Sequence, residues 1–73
     1  MTHPTHLVSI GLNVKRMREA RGMTQSELAE SSALRQATIA DIELGKSNFE
    51  INTLVRICSA LNCYLDINIS PAG

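Results

Sequence analysis

The sequence predicts a compact all-α domain of four to five short helices, followed by one short β-strand at the C-terminal end. Three observations carry this. Apolar residues recur at spacings of three and four along most of the chain. Gly22, Gly45 and Asn62, residue types that accept a left-handed backbone, stand where those stretches stop. Leu65, Ile67 and Ile69 instead alternate with polar residues, which is the period of a strand.

The elements follow in order. Residues 1–8, with His3, Pro4 and His6, read as a flexible leader. A first helix over 9–21 places Ile10, Val14 and Met17 on one stripe, with Leu7 joining it, and Gly22 ends it. Thr24-Gln25-Ser26-Glu27 is a capping box that opens a second helix, with Leu28 and Ala29 turned inward, ending near Ser31. A third helix runs from Arg35 to Leu44 with Ile39 and Ile42 on one face, stopped by Gly45. Ser32, Ala33 and Leu34 alone separate these two helices, the length of a helix-turn-helix turn. After Lys46-Ser47-Asn48, the residues Ile51, Leu54, Val55, Ile57, Cys58 and Leu61 predict a core-facing helix over 51–61. The strand at 64–69 is closed by Pro71 and has no mate within the chain, so it calls for a partner strand from another. The organisation is therefore a leader at 1–8, one domain at 9–62, and a dimerisation strand and tail at 63–73.

Bulk properties bound the function. A chain of 73 residues holds one domain and buries only about 60% of its unfolded surface, a marginal core that dimerisation would relieve. No nucleophile–base pair or carboxylate dyad is legible, so no enzyme and no cofactor is expected. Cys58 and Cys63 are too few and wrongly spaced for a zinc site and read as reduced, buried thiols. His3 and His6 lack further ligands, so no metal is expected. No apolar run approaches the roughly 18 residues of a membrane span, and no signal-peptide pattern occurs, which predicts a cytoplasmic protein with no membrane contact. Seven Lys and Arg balance seven Asp and Glu, whereas nucleic-acid binders are usually basic. The cations are unevenly spread, with Lys15, Arg16, Arg18 and Arg21 in one stretch. Neutrality predicts weak non-specific binding.

Met23-Thr24-Gln25-Ser26-Glu27-Leu28-Ala29-Glu30, followed by Gln36 to Lys46 with Ile39-Ala40-Asp41-Ile42-Glu43-Leu44-Gly45-Lys46, closely resembles the Cro/phage-repressor (XRE-like) helix-turn-helix domain. Thr53-Leu54 through Ala60-Leu61 resembles that family's fourth helix, so the resemblance spans about 9–62. It implies a first helix crossing the DNA backbone and a second reading the major groove. By register with the family, base contacts fall to Arg35, Gln36, Ala37 and Asp41. Arg can fork onto guanine, Gln onto adenine, and the Ala methyl can touch a thymine methyl. Asp41 departs from the family's non-acidic preference and either accepts from cytosine N4, pairs with Arg35 or points away. Phosphate contacts fall to Gln25, Ser26 and Thr38 and to the loop residues Lys46, Ser47 and Asn48, where relatives often carry more cations. Arg18 and Glu43 resemble the family's structural ion pair. Two departures, Ala33 at the left-handed turn position and Ser32 in place of an apolar residue, predict a slightly distorted turn.

The tail resembles that of HipB-like antitoxins, in which a comparable strand pairs across a dimer axis. Such pairing would bury Leu65, Ile67 and Ile69. The expected function is a sequence-specific transcriptional regulator, a repressor of its own operator binding palindromic double-stranded DNA as a homodimer, either as an antitoxin with a toxin encoded nearby as a further partner or as a free-standing phage or restriction-type regulator. The competing reading is a protein-interaction module of the same fold that has lost DNA binding, favoured by neutral charge, Asp41 and the sparse phosphate loop.

Overall fold

The computed structural model describes residues 5–46 and 48–65. It contains α1 (Thr5–Ala20), α2 (Gln25–Ser32), α3 (Gln36–Glu43) and α4 (Ile51–Ala60). Among the described residues there is no strand. Tyr64 and Leu65 are irregular, and the remainder of the expected strand, with Ile67 and Ile69, lies outside them.

Each helix stops in the same way. The N–H of Met23, Leu34, Lys46 and Cys63 reaches back to the carbonyls of Arg18, Ala29, Asp41 and Cys58 at 2.8–3.1 Å. The residue before each of these, Gly22, Ala33, Gly45 and Asn62, has φ between 55° and 68°. This is the Schellman stop, which gives the last carbonyls their partners. Because the stop needs only one left-handed residue, the four stops are readable as Gly, Gly, Asn and, unusually, Ala. The turn at Ala33 is not distorted as expected: φ 58° and ψ 41° are ordinary left-handed values. Ser32 fits its buried site because its hydroxyl donates to the Leu28 carbonyl at 2.6 Å, so no polar group is orphaned.

The α2 start is the predicted capping box. The Glu27 N–H donates to Thr24 Oγ1 at 3.0 Å, and the Thr24 N–H donates to Glu27 Oε1 at 2.8 Å. By contrast, α1 begins at Thr5 rather than at residue 9. The reason is tertiary: Gly45, in the turn after α3, lies against Val8, so close that a Cβ there would stand 3.1 Å from the Val8 Cα. Packing of this kind carries a helix past the point where local signals would start it.

Leu28, Ile39, Ile42 and Ile57 are fully buried, and Val14, Ala29 and Leu61 complete the cluster. Central α3 packs on α1 and α2, and α4 closes against α2. Gly11 is the point of closest approach between α1 and α3. A Cβ there would collide with the Ile42 carbonyl and stand 2.9 Å from the Glu43 carbonyl. Two positions correct the sequence reading. Met17, placed on the core stripe of α1, is 36% exposed, while its neighbour Arg18 turns inward. Phe49, passed over in the loop, packs against the core.

Candidate nucleic-acid interface

The sequence places Arg18 on α1, Gln25 at the start of α2, and Gln36 and Glu43 at the two ends of α3. Folding brings all four into one hydrogen-bonded chain. Arg18 donates Nε to Glu43 Oε2 at 2.6 Å and Nη2 to Glu43 Oε1 at 3.1 Å, while its Nη1 donates to the Met23 carbonyl at 2.7 Å. The two side chains are 11% and 3% exposed. Two-pronged pairing of this kind suits a guanidinium facing a carboxylate. Hydrogen bonding to Glu43 raises the Arg18 pKa further, against desolvation, which lowers it. Gln25 Nε2 then donates to Glu43 Oε1 at 3.1 Å, and Gln36 Nε2 donates to Gln25 Oε1 at 2.7 Å.

Direction propagates along this chain. An ionised carboxylate only accepts, so Gln25 must turn N–H toward Glu43 and its carbonyl oxygen toward Gln36. Gln36 must therefore spend one N–H on Gln25, keeping its carbonyl oxygen and a second N–H for other partners. That acceptor-and-donor pair is the complement of adenine N6 and N7 in the major groove. Gln25 also keeps one N–H free of this chain. The first backbone N–H groups of α2, those of Gln25 and Ser26, have no intrahelical acceptor and favour an anion.

The remaining residues singled out in the sequence divide by exposure. Arg35, the residue preceding α3, makes no side-chain capping bond. Arg35, Gln36 and Ala37 are exposed in and just before the first turn of α3, and Ser26, Lys46 and Asn48 are exposed too. Thr38 and Asp41 are half-buried. Among the described residues the one salt bridge is Arg18–Glu43, so Asp41 does not pair with Arg35. Ser47 lies outside the described residues.

The cationic stretch of α1 does not act as a unit. Arg18 is committed to Glu43, and Arg21 donates Nε to the Leu61 carbonyl at the end of α4. Only Lys15 and Arg16 of the four remain exposed on α1 itself without such a bond. Among the described residues there is no group of His, Cys, Asp and Glu able to hold a metal ion, and no helix long and apolar enough to cross a membrane.

Residues 14–68 match the family model described as helix-turn-helix (HTH_3). The chain belongs to this family of XRE-type DNA-binding regulators. Antitoxin HipB of Escherichia coli K12 is 33% identical over 72 residues, 93% of this chain and 78% of that protein. The immunity repressor of Bacillus phage phi105 is 35% identical over 54 residues, 74% of this chain but only 38% of that protein. Among solved structures, the restriction-modification controller protein C.AhdI of Aeromonas hydrophila superimposes with a TM-score of 0.80 at 27% identity, covering 82% of this chain and 91% of that one. A chain of the HipA-HipB-O2-O3 complex gives 0.75 at 28% identity, covering 89% and 92%. The helix-turn-helix of this family is thus the unit α2–turn–α3, with α1 and α4 bracing it. Within it, the Gln25–Glu43 bond is the feature that sequence reasoning missed. Both residues were singled out, but separately, one for phosphate and one for architecture.

Proposed function

We propose that this helix-turn-helix protein is an autorepressor that reads a palindromic operator as a homodimer, and that it is the antitoxin of a toxin–antitoxin pair. The observation that carries the DNA-reading part is the oriented amide of Gln36, exposed in the first turn of α3 and tied through Gln25 to a buried ion pair. Arg35 and Ala37 flank it for base contacts, with Asp41 one turn on. Gln25, Ser26, Thr38, Lys46, Ser47 and Asn48 supply phosphate contacts. Two copies would set two such helices into half-sites about one helical turn apart.

The dimer is supported by exposed apolar side chains on α4 and just after it. Ile51 and Val55 on α4 are 57% and 47% exposed, and Tyr64 is fully exposed. Leu65 follows directly, with Ile67 and Ile69 beyond the described residues. Sedimentation is expected to find a dimer at micromolar concentration that is lost when residues 65–73 are deleted; a wild-type monomer contradicts it. The toxin partner is supported by the likeness to HipB and to a chain of a HipA-HipB-O2-O3 complex. Co-purification with the product of the adjacent gene tests it.

Selection of bound DNA from a random pool tests the whole reading. Enrichment of an inverted repeat, weakened by Gln36→Ala but not by Ser59→Ala, is expected, with affinity falling steeply as salt rises. No enrichment even at low salt would favour an interaction module, for which the neutral charge is the supporting observation.

A further inference from the structure

Both cysteines of the chain lie at the end of α4, in positions that its Schellman stop brings together. Cys58 stands three residues before the cap Leu61, and Cys63 stands two after it. The Cys63 N–H donates to the Cys58 carbonyl at 2.8 Å, and the Asn62 N–H donates to the Ser59 carbonyl at 3.1 Å. In this motif an apolar contact between the side chains of these two positions is frequent. Here both partners are thiols, both reduced and half-buried.

The backbone meets the separation that a disulfide needs. A bridge needs Cα atoms about 4.4–6.8 Å apart. Bond lengths across the direct 2.8 Å hydrogen bond cap that separation near ~7 Å, and the bends at N, O and C bring it within range. The Cys63 sulfur has two weak partners. It contacts the Leu61 carbonyl at 3.3 Å and accepts from Arg21 Nη2 at 3.7 Å. A bond to the Cys58 sulfur would replace these weak contacts. Both residues line the groove between α1 and α4, beside Met17, Tyr64 and Leu65.

We propose that Cys58 and Cys63 form a reversible dithiol–disulfide site oxidised by hydroperoxides. Hydrogen peroxide transfers one oxygen to the Cys63 sulfur, its O–O bond breaking and the other oxygen leaving as water, to give a sulfenic acid. The Cys58 sulfur then displaces the hydroxyl of that acid. The S–S bond forms, and the hydroxyl leaves with the Cys58 proton as a second water. The two sulfurs have lost two electrons and the peroxide has gained them. A dithiol reductant reverses the change by exchange and is itself oxidised to a disulfide. Cys63 is the sulfur that attacks the peroxide first, because it stands beside the Arg21 guanidinium, whereas burial pushes the Cys58 thiol up. The bond clamps the last turn of α4 to the point where the chain leaves toward Tyr64 and Leu65. None of this depends on the DNA reading.

The test is intact-mass analysis of the full chain after hydrogen peroxide treatment and maleimide blocking. The expected product is monomeric on a non-reducing gel, lighter by two hydrogens, unreactive to maleimide, and restored to two reactive thiols by dithiothreitol. Cys58→Ser is expected to trap a sulfenic acid at Cys63 that dimedone labels, whereas Cys63→Ser leaves Cys58 largely unoxidised over the same exposure. In glutathione buffers the disulfide should be at least about tenfold less favoured in concentrated urea than in the folded chain, because folding raises the effective concentration of one thiol at the other. Two maleimides taken up after oxidation, sulfinic acids at both positions, a linked dimer as the sole product, or equal disulfide stability in urea would each overturn the proposal.

Discussion

Gln25 donates its side-chain amide to the buried carboxylate of Glu43 at 3.1 Å. This bond joins the start of α2 to the end of α3. It also ties an exposed surface to the interior, since Glu43 is gripped on its other side by Arg18. A polar group this far inside is tolerated because every member of the chain has a partner: among the described residues, no buried side-chain nitrogen or oxygen lacks one.

Breaking that chain at its buried end should be expensive. Glu43→Ala leaves the Arg18 charge without its partner and is expected to cost about 3–5 kcal/mol. In a small domain that is most of the stability. Replacing both, as Arg18→Met with Glu43→Leu, should recover most of the loss, because no unpaired charge remains. Urea unfolding of the three variants checks this; additive losses would contradict it.

At the turn between α2 and α3, Ala33 holds a left-handed backbone with φ 58°. That conformation costs a residue with a Cβ roughly 1–2 kcal/mol, partly offset by the lower entropy of its unfolded state. Ala33→Gly should therefore stabilise the protein by about 0.5–1 kcal/mol, read as an upward shift in Tm. A destabilised Gly variant would mean that the Ala33 methyl makes a contact worth more than the strain.

Gly11→Ala carries the opposite expectation. Its Cβ would meet the carbonyls of Ile42 and Glu43, so α1 and α3 must separate, at about 1–3 kcal/mol. The displacement should also reach the Glu43–Gln25 bond, so operator affinity should fall more than the loss of folded fraction explains. Calorimetry paired with a binding titration separates the two effects.

How far this was legible in the sequence differs by feature. Helix ends were, because a capping box and a left-handed residue are local chemistry: Thr24 with Glu27, and Gly22, Ala33, Gly45 and Asn62, all stand where the structure uses them. The start of α1 was not, since Val8 against Gly45 is a contact between distant segments. Periodicity favoured Met17 for the interior over Arg18, because an apolar stripe cannot show that a cation will be buried with a carboxylate 25 residues away. That pair entered only through the family resemblance. The cationic cluster on α1 looked like an electrostatic patch, but Arg21 is spent on the end of α4, again a long-range bond.

Lys46 is an exposed cation just beyond the reading helix. On the proposed reading it neutralises a phosphate, so Lys46→Ala should weaken binding to all sequences alike. It should also flatten the plot of log K against log salt by about one unit of slope for each protomer, about two for the dimer. A variant that changes sequence preference instead would move Lys46 from the backbone to a base edge.

The central claim is that α3 reads DNA through a Gln36 amide oriented by Gln25. The most direct measurement is the affinity of wild type and Gln36→Ala for the selected operator and for operators altered one base pair at a time. Gln36→Ala is expected to lose about 1–3 kcal/mol for each half-site, roughly 5–150-fold in Kd apiece, together with discrimination at one adenine-containing base pair in each half-site. A variant that binds as tightly as wild type, with the same preference at every position, would contradict it.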